Sequence, residues 1–349
     1  MNEMTGRAIE ALLDVPSPYL IFLGDATETA FAKTAYGLRD WAPDRCVGEC
    51  SITGAITLGL PILTPEAAVA AGAKAMVIGV ANIGGVIRNS WLPMLIAGLE
   101  AGLDIVSGMH GRLGEEPVLR ATAERLGRRL IDVRTPPRQL PVATGRKRTG
   151  KRLLTVGTDC ALGKKYTALS LTNAFRARNV EADFRATGQT GILIAGSGIP
   201  IDAVVADFIA GAAELLSPDN AADHWDVVEG QGSLFHPSYA GVSLGLLHGS
   251  QPDVIVMCHA IGREQIMGLE DYRTPSIGEA IELNLALARR VNPAVRCAGI
   301  ALNTSHVPPE RAHEIESEIA IGLGLPVADP MRPGLRFDAL VDACLADIA

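Results

Sequence analysis

The amino-acid sequence predicts an α/β protein of two domains, each built on a mostly parallel sheet with helices on both faces. Short apolar runs alternate with helical patterns along the chain, and this alternation is typical of parallel sheets covered by helices. The length of 349 residues suits two domains of ordinary size. A glycine-rich turn at 156–167 follows one apolar run and precedes a helical pattern, so we interpret it as the start of the second domain.

The composition favours a cytoplasmic enzyme and argues against several other classes. Hydrophobic residues make up 48% and charged residues 20%, which is typical of a soluble protein with sizeable cores. With 4% aromatic residues and a net charge of −8, the chain does not suit a binder of nucleic acid or of an anionic membrane. No signal-peptide pattern is visible at residues 1–16, and no apolar run reaches the ~18 residues of a membrane span. The six cysteines lack the paired spacing of a zinc framework and are interpreted as reduced thiols: Cys46, Cys50, Cys160, Cys258, Cys297 and Cys344.

The first half contains four apolar runs of strand length, separated by helical patterns. The predicted strands are Tyr19–Leu23, Ala75–Gly79, Asp104–Ser107 and Arg129–Asp132. The predicted helices are Glu66–Ala71, Trp91–Ala101 and Val118–Leu126. A glycine-containing loop follows at 79–85, but it does not spell G-x-G-x-x-G and supports a bound dinucleotide only weakly.

A proline-containing basic segment then separates the halves. We predict an N-terminal domain at 1–134, a linker at 135–151 and a C-terminal domain at 152–349, because prolines and clustered cations are typical of a crossing between domains. The cations at 146–152 are interpreted as a solvated linker, with contact to an anionic ligand as the alternative.

The second half shows the same alternation of strands and helices. Beyond the apolar run before the turn, the predicted strands are Ala182–Ala186, Trp225–Val228, Asp253–Cys258 and Arg296–Leu302. The predicted helices are Ile201–Leu216, Gly278–Arg290, Pro309–Gly322 and Leu335–Ala346.

The turn between the first strand and first helix of this half has the composition of a phosphate-binding loop. Backbone N–H groups and a helix N-terminus would face the anion, and a lysine would add positive charge. The loop departs from G-x-x-x-x-G-K-[ST] in two places, with Thr158 at the usual glycine position and Lys165 in place of the hydroxyl that holds Mg²⁺. We therefore predict phosphate binding without a metal, with an ordinary strand-to-helix turn as the alternative. The predicted cofactor-binding residues are Gly157, Thr158, Asp159, Cys160, Ala161, Leu162, Gly163, Lys164, Lys165, Tyr166 and Thr167.

Polar residues also follow several predicted strands, where open α/β sheets bind their ligands. Glu229 and His236 are the predicted catalytic residues, since a carboxylate or an imidazole can accept a proton. The alternatives are a cap of the next turn for Glu229 and a packing or capping residue for His236. Asn303 ends a strand and could read an adenine edge or close a local turn. The remaining predicted site residues would bind substrate: Lys33, Arg39, Arg112, Gly188, Gln189, Thr190 and Gln231.

The order of these motifs resembles a known family. The loop at 156–167 is similar to the phosphate loop of dethiobiotin synthetases. More of the chain, from about residue 19 to residue 345, resembles the two-domain DUF1611 family. The motifs that carry this resemblance are Lys33–Gly37, Asn82–Gly85, Gly108–Arg112, Ala186–Gly191, Glu229–Pro237 and Leu244–Ser250.

The resemblance implies a fold and an activity. The fold is a Rossmann-like parallel-sheet N-terminal domain followed by a P-loop NTPase-like, dethiobiotin-synthetase-like C-terminal domain. Some family members are D-glutamate N-acetyltransferases, so the resemblance implies acetyl transfer from acetyl-CoA to an acidic D-amino acid. Coenzyme A needs its phosphates held but no metal beside them, which agrees with Lys165 in the loop.

Within this hypothesis, Glu229 or His236 takes a proton from the substrate ammonium. N–H groups near Gly188 or Gly230 stabilise the oxyanion, and Arg39 or Arg112 binds a substrate carboxylate if the domains close over one cleft. We expect no nucleic-acid or membrane partner, and we expect the protein to form a homo-oligomer. The alternatives are an ATP- or GTP-dependent ligase or kinase and a non-catalytic module that binds a nucleotide or coenzyme A.

Overall fold

The structure, a computed structural model, describes residues 13–80, 82 and 84–346. Some sequence-based expectations reach beyond these residues. The absence of a signal peptide concerns residues 1–16, of which 1–12 lie outside the described part. Ala81 and Ile83 of the 79–85 loop and the last three residues of the C-terminal domain also lie outside it.

The chain forms two compact units. The first contains the described residues up to Pro137 together with Gly188–Ala203, and the second contains Arg138–Thr187 and the described residues from Val204 onward. The chain therefore crosses between units three times. The predicted α/β class is confirmed in both units, while the domain boundaries at 134/135 and 151/152 remain a prediction.

The first unit contains a five-stranded parallel sheet in its described residues, with strand order β2-β1-β3-β4-β5. Its strands are β1 (Tyr19–Phe22), β2 (Cys46–Cys50), β3 (Ala75–Ile78), β4 (Asp104–Ser107) and β5 (Leu130–Asp132). Four of them match the predicted strands to within a residue at each end. The second strand was not predicted, because its buried Glu49 breaks the apolar pattern. The carboxylate of Glu49 is satisfied by Leu58 N at 2.6 Å and by the Thr57 hydroxyl.

Five helices of the first unit are described: α1 (Lys33–Trp41), α2 (Pro65–Ala70), α3 (Leu92–Ala101), α4 (Pro117–Leu126) and α6 (Gln189–Ala195). The last of these belongs to the first unit, although its sequence lies between two strands of the second. The Tyr19 hydroxyl donates to Leu193 O at 3.1 Å, and the Arg45 guanidinium donates to Ala195 O at 3.1 Å. These bonds fix the carbonyl end of the helix.

The second unit contains a six-stranded parallel sheet in its described residues, with strand order β13-β12-β9-β6-β8-β7. Its strands are β6 (Lys151–Gly157), β7 (Ala182–Arg185), β8 (Trp225–Val228), β9 (Val254–Ala260), β12 (Arg296–Asn303) and β13 (Val327–Ala328). A separate hairpin consists of β10 (Gln265–Ile266) and β11 (Leu269–Arg273). The strand before the glycine-rich turn, β6, therefore lies inside the sheet between β9 and β8.

The helices of the second unit are α5 (Lys164–Ala177), α7 (Ile209–Leu216), α8 (Ala240–Ser250), α9 (Ile277–Ala288), α10 (Pro309–Leu323) and α11 (Leu335–Leu345). The prediction of one helix over 201–216 is wrong, because the chain changes unit after Ala203 and the α-helix begins at Ile209. The glycine-rich α8 was not predicted. It forms because it packs closely on α7: a Cβ at Gly249 would lie 2.2 Å from Ala210 O.

The basic segment at 146–152, whose last two residues begin β6, is part of the folded second unit. The Arg148 guanidinium is buried and donates to carbonyl oxygens at the ends of two helices, including Ser217 O at 2.6 Å and Gly249 O at 2.5 Å. The Arg152 guanidinium donates to Pro218 O at 2.8 Å and to Ser217 Oγ at 2.8 Å. Arg146, in contrast, is exposed and pairs with Asp219. The prediction of a solvated cluster is therefore wrong for Arg148 and Arg152.

None of the helices in the described residues combines the length and the apolar character needed to cross a bilayer.

Candidate active site

The glycine-rich turn joins the central strand β6 to the N-terminus of α5. Gly163 has φ +109° and directly precedes the helix, a left-handed conformation that glycine adopts without a Cβ penalty. Ala161 is also left-handed, with φ +53°. These two positions turn the chain so that the helix begins at Lys164. Since the first N–H groups of a helix have no intrahelical partner, this end of α5 can bind an anion.

Lys164 places a buried ammonium group in this turn. Its side chain is 6% exposed, and Nζ donates to Asp159 O at 2.7 Å. Burial lowers the pKa of Lys164, while nearby thiol and carboxylate groups act in the opposite direction. A bound anion would therefore stabilise the charged form of this lysine.

Asp159 fastens the β10–β11 hairpin to the turn. Its carboxylate accepts from Cys160 N at 2.6 Å, from Met267 N at 2.8 Å and from the Arg263 guanidinium at 2.8 Å. The carboxylate is fully buried. Because Cys160 N donates to this carboxylate, neither group is directed toward a phosphate in this structure, and the predicted cofactor contact of Asp159 is not supported by its geometry.

The hydroxyl groups of the turn are also engaged within the protein. Thr158 Oγ1 and His259 Nδ1 share a hydrogen bond of 2.9 Å, and burial lowers the pKa of His259. Thr167 Oγ1 accepts from the buried Cys258 thiol at 3.5 Å. Leu162 is buried in the core of the second unit. These three loop residues therefore support the shape of the turn.

Lys165 occupies the position where the common motif has Ser or Thr. It is half-buried, and its Nζ lies 4.7 Å from the centre of the Tyr166 ring. Burial lowers the pKa of Lys165, and the negative charge of Glu229 opposes this shift. The turn thus brings a second ammonium group, rather than a metal-binding hydroxyl, close to the carboxylate that follows β8.

Glu229 is held in a fixed orientation by the chain after β7. Its Oε2 accepts from Thr187 N at 3.0 Å, and the Thr187 hydroxyl donates to Glu229 O at 2.6 Å. The Gln231 amide donates to the same hydroxyl at 3.1 Å. Glu229 is 4% exposed. The predicted base therefore lies beside the two lysines of the turn, and Gln231 contributes by orienting Thr187.

Gly230, which was predicted as an oxyanion donor, uses its N–H inside the sheet. This N–H donates to Thr155 Oγ1 at 2.9 Å. A Cβ at this position would lie 1.6 Å from Thr155 O, so only glycine fits. The expectation of an oxyanion donor near Gly188 or Gly230 is therefore wrong for the N–H of Gly230 itself, which already has a partner, and remains a prediction for Gly188.

His236 lies against the turn. One imidazole nitrogen, Cys160 Sγ and an Asp159 carboxylate oxygen all lie within 4.8 Å of one another. His236 Nδ1 accepts from Ser238 N at 3.2 Å, and the ring is 4.4 Å from the Tyr239 ring, centroid to centroid. His236 is 3% exposed. The structure thus brings both predicted catalytic residues to the glycine-rich turn that was predicted to bind phosphate.

Two groups of side chains have the composition of a metal site, but both are already occupied by protein cations. In the group Asp159, Cys160 and His236, the carboxylate binds Arg263. In the group Asp183, His224 and Asp226, both carboxylates pair with the Arg185 guanidinium. A metal ion at either place would have to displace an arginine, so these donors do not fit a resident metal well.

Asn303 ends β12 and forms the local turn that was the alternative for it. Its side-chain oxygen accepts from Ser305 N at 3.1 Å. Only the amide NH₂ could then donate to an adenine acceptor. For the side-chain oxygen to accept from adenine as well, its hydrogen bond from Ser305 N would have to break.

The cations predicted to bind substrate lie in the first unit. Arg39 pairs with Asp40 at 2.6 Å, and this hydrogen bond raises the pKa of Arg39. Lys33 and Arg112 are exposed. The charge of Arg112 acts on Asp132, although burial is the larger influence and raises the pKa of that carboxyl. Their role in substrate binding remains a prediction.

The N-terminal residues of α6 are fixed within the first unit. Thr190 Oγ1 and Thr34 Oγ1 share a hydrogen bond of 3.1 Å. The Gln189 side chain lies against Gly108, where a Cβ would approach its Oε1 to 2.1 Å. Gly188 directly precedes the helix in an extended conformation. Substrate contacts of these three residues also remain a prediction.

Two family comparisons cover most of the chain. Residues 141–341 match the domain of unknown function DUF1611_C, described as a P-loop domain. Residues 44–136 match DUF1611_N, described as a Rossmann-like domain. The chain belongs to the DUF1611 family. The resemblance drawn from the sequence motifs is thus confirmed.

Similar proteins include two curated relatives and one solved structure. A protein named D-glutamate N-acetyltransferase from Tritonibacter scottomollicae is 51% identical over 95% of this chain and 99% of its own length. Another of that name, from a Pseudoalteromonas species, is 49% identical over 93% of this chain and 98% of its own. The crystal structure of a DUF1611 family protein from Anabaena variabilis is 34% identical, with a TM-score of 0.83 over 95% of this chain and 100% of that one.

Several residues at the site of this DUF1611 protein were missed by sequence reasoning. Arg263 and Met267 reach the turn through Asp159, and Ser238 fixes the His236 ring. Arg263 follows the end of β9, so its position after a strand was an available signal. The contacts of Met267 and Ser238 use backbone N–H groups, which any residue carries, and no side-chain pattern could reveal them.

Proposed function

We propose that this protein transfers an acetyl group from acetyl-CoA to the amino group of D-glutamate. The observation that carries the proposal is the identity of about one half, over nearly the whole chain, with two proteins named D-glutamate N-acetyltransferase. The geometry of the second unit supports it, because two lysines, a carboxylate and an imidazole meet at one anion-binding turn.

Acetyl-CoA is the proposed donor because its phosphates suit the turn. Lys164 and Lys165 supply two ammonium groups beside the N-terminus of α5, and the position of a metal-binding hydroxyl is taken by Lys165. A thioester reacts without a metal at the phosphates, whereas phosphoryl transfer needs one. The altered turn therefore favours coenzyme A over a magnesium-bound nucleotide.

Glu229 is the proposed base. The ammonium group of D-glutamate loses a proton to this carboxylate, since only the neutral amine is nucleophilic. The amine nitrogen then forms a bond to the acetyl carbon, and the carbon–sulfur bond breaks. The sulfur leaves as a thiolate and takes up the second proton that the nitrogen loses, while Glu229 returns its own proton to water.

Substrate selection is proposed to depend on the cations predicted in the first unit. Removing Arg39 or Arg112 would test each contact separately, because a lost carboxylate contact raises the KM for D-glutamate while leaving the KM for acetyl-CoA unchanged. An unchanged KM for D-glutamate in both variants would exclude them as the carboxylate-binding groups.

The direct test is a mass-spectrometric assay with acetyl-CoA and either D- or L-glutamate, with and without EDTA. We expect N-acetyl-D-glutamate, little product from L-glutamate, and no effect of EDTA. Glu229→Gln should lower kcat by about 1,000-fold, in the range that loss of a general base produces. Glu282→Gln is the matched control, since Glu282 is exposed on α9 of the same unit. Magnesium-dependent ATP turnover without any N-acetyl product would instead favour a ligase or kinase.

A further inference from the structure

The orientation of the His236 ring determines which of its nitrogens carries the proton. Nδ1 accepts a hydrogen bond from Ser238 N at 3.2 Å. A ring nitrogen that accepts from an N–H group has its lone pair directed at that group and holds no proton. The neutral imidazole therefore carries its proton on Nε2.

The position of the ring is fixed by the residues that follow it. A proton on Nδ1 would face the N–H group of Ser238. The ring also packs on Tyr239, with 4.4 Å between the ring centroids, and the backbone carbonyl of His236 accepts from Tyr239 N and Ala240 N at the start of α8. Nε2 is thus the nitrogen of the neutral ring that can donate a hydrogen bond.

Acetyl transfer needs a hydrogen-bond donor at the reacting carbonyl oxygen. Acyl transfer passes through a tetrahedral intermediate whose oxygen carries negative charge, and an N–H group aimed at that oxygen lowers the barrier. The N–H of Gly230 is held by Thr155 and cannot serve. His236 lies at the turn that would hold the acetyl donor, with one ring nitrogen within 4.8 Å of Cys160 Sγ.

We propose that His236 donates a hydrogen bond from Nε2 to the acetyl carbonyl oxygen and stabilises the oxyanion that forms on it. It does not remove a proton from the substrate. The ammonium proton goes to Glu229, and no proton leaves Nε2 during the step. This assignment rests on the proposed acetyl transfer.

The first test reads the tautomer directly and does not depend on activity. Long-range ¹H–¹⁵N correlation spectra of the whole protein labelled with ¹⁵N-histidine should show one ring that is protonated on Nε2 and unprotonated on Nδ1. The signals that vanish in His236→Gln identify this ring. A proton on Nδ1, or an imidazolium at neutral pH, would overturn the proposal.

The second test separates a donor from a base by kinetics. Glutamine can place an amide N–H near the position of Nε2 but cannot act as a base. We expect His236→Ala to lower kcat by about 100-fold, as loss of one oxyanion donor does. His236→Gln should retain about tenfold more activity than His236→Ala, with the KM for acetyl-CoA little changed in both. His313→Gln, on the exposed face of α10, is the control.

The outcomes distinguish this proposal from the function on which it rests. If the wild-type protein forms product and the two His236 variants lose activity equally, the donor role fails and acetyl transfer stands. If the wild-type protein forms no N-acetyl product, the proposed function fails and the donor role falls with it, whichever tautomer the spectra show.

Discussion

Two basic regions lie at the opposite ends of strand β6 and use their cations differently. At the start of the strand, Arg148, which precedes it, and Arg152, its second residue, direct buried guanidinium groups at backbone carbonyl oxygens. After the strand, Lys164 and Lys165 place ammonium groups at the N-terminus of α5. In the first region each guanidinium binds several carbonyl oxygens, whereas in the second Lys164 Nζ donates to Asp159 O at 2.7 Å and Lys165 Nζ lies over the Tyr166 ring.

The difference follows from which helix ends each region meets. The last carbonyl groups of a helix lack partners and carry partial negative charge, so an arginine satisfies them and stabilises the fold. The first N–H groups also lack partners but carry partial positive charge. A lysine beside them adds to this positive charge, and an anion bound there would therefore be stabilised. Whether a basic residue stabilises the fold or is placed to bind a ligand thus depends on the groups around it, and not on its charge alone.

The largest expected effect is on stability. Arg148→Met should lower the free energy of unfolding by about 3 kcal/mol, because several buried carbonyl groups lose their donor. Burial, followed by the charge of Arg152, already lowers the pKa of Arg148 to about 10, which shows how closed its surroundings are. Urea unfolding of the variant measures the change.

Arg146→Met is the matched control for that experiment. Arg146 is exposed and pairs with Asp219 at the surface, so its loss should cost less than about 1 kcal/mol. Similar unfolding midpoints for the two variants would contradict the contrast drawn between the two regions.

The next effect is a loss of affinity for acetyl-CoA without a loss of stability. Lys164→Met should raise the KM for acetyl-CoA by about 100-fold, because a buried charge-assisted contact to phosphate is lost. Its unfolding midpoint should stay the same or rise, since a buried ammonium is replaced by an apolar side chain of similar length. Steady-state kinetics and urea unfolding together give both values.

Lys151→Met changes the same charge at the other end of β6, where Nζ lies 5.5 Å from the centre of the Trp225 ring. This control should leave the KM for acetyl-CoA unchanged. If Lys164→Met lost stability instead of affinity, the turn would be a structural element like the region before β6.

The smallest effect concerns pH. Burial lowers the pKa of Lys165, so this lysine loses its charge at a lower pH than an ordinary lysine. Only the charged form attracts phosphate, and the KM for acetyl-CoA should therefore rise by about tenfold between pH of about 7 and about 10. Lys165→Arg keeps its charge over this range and should show a smaller rise.

The same profile for Lys151→Arg should match the wild-type protein. A rise of equal size in Lys165→Arg would assign the titration to another group, and a KM that falls with pH would rule out a phosphate contact by Lys165.

The sheets were accessible from the sequence because their strands are buried on both faces and read as continuous apolar runs. Tyr19–Phe22 and Ala75–Ile78 are such runs, and each was predicted to within one residue of its observed bounds. The strand Cys46–Cys50 was not predicted, since its buried Glu49 is hydrogen-bonded to residues 57 and 58, which follow later in the chain. The helix Ala240–Ser250 also escaped prediction, because its glycines are poor helix formers that only close packing explains.

The grouping of residues at the site could be predicted from the order of strands and loops. Parallel strands deliver the residues after their C-termini to one edge of the sheet, so Glu229 and the turn after β6 could be expected together. The expectation for the N–H of Gly230 was wrong because this group donates to Thr155 Oγ1. The two residues are 75 positions apart in the sequence. A local pattern holds no information about such a partner.

The sequence by itself determined the α/β class, the family and the glycine-rich turn before α5, because periodicity, glycine placement and a lysine at a helix start are local properties. The tertiary structure decided which guanidinium groups are buried against carbonyl oxygens, which N–H groups already have a partner, and which nitrogen of His236 accepts from Ser238 N. Each of these depends on a hydrogen-bond partner, and such partners are fixed only when the chain has folded.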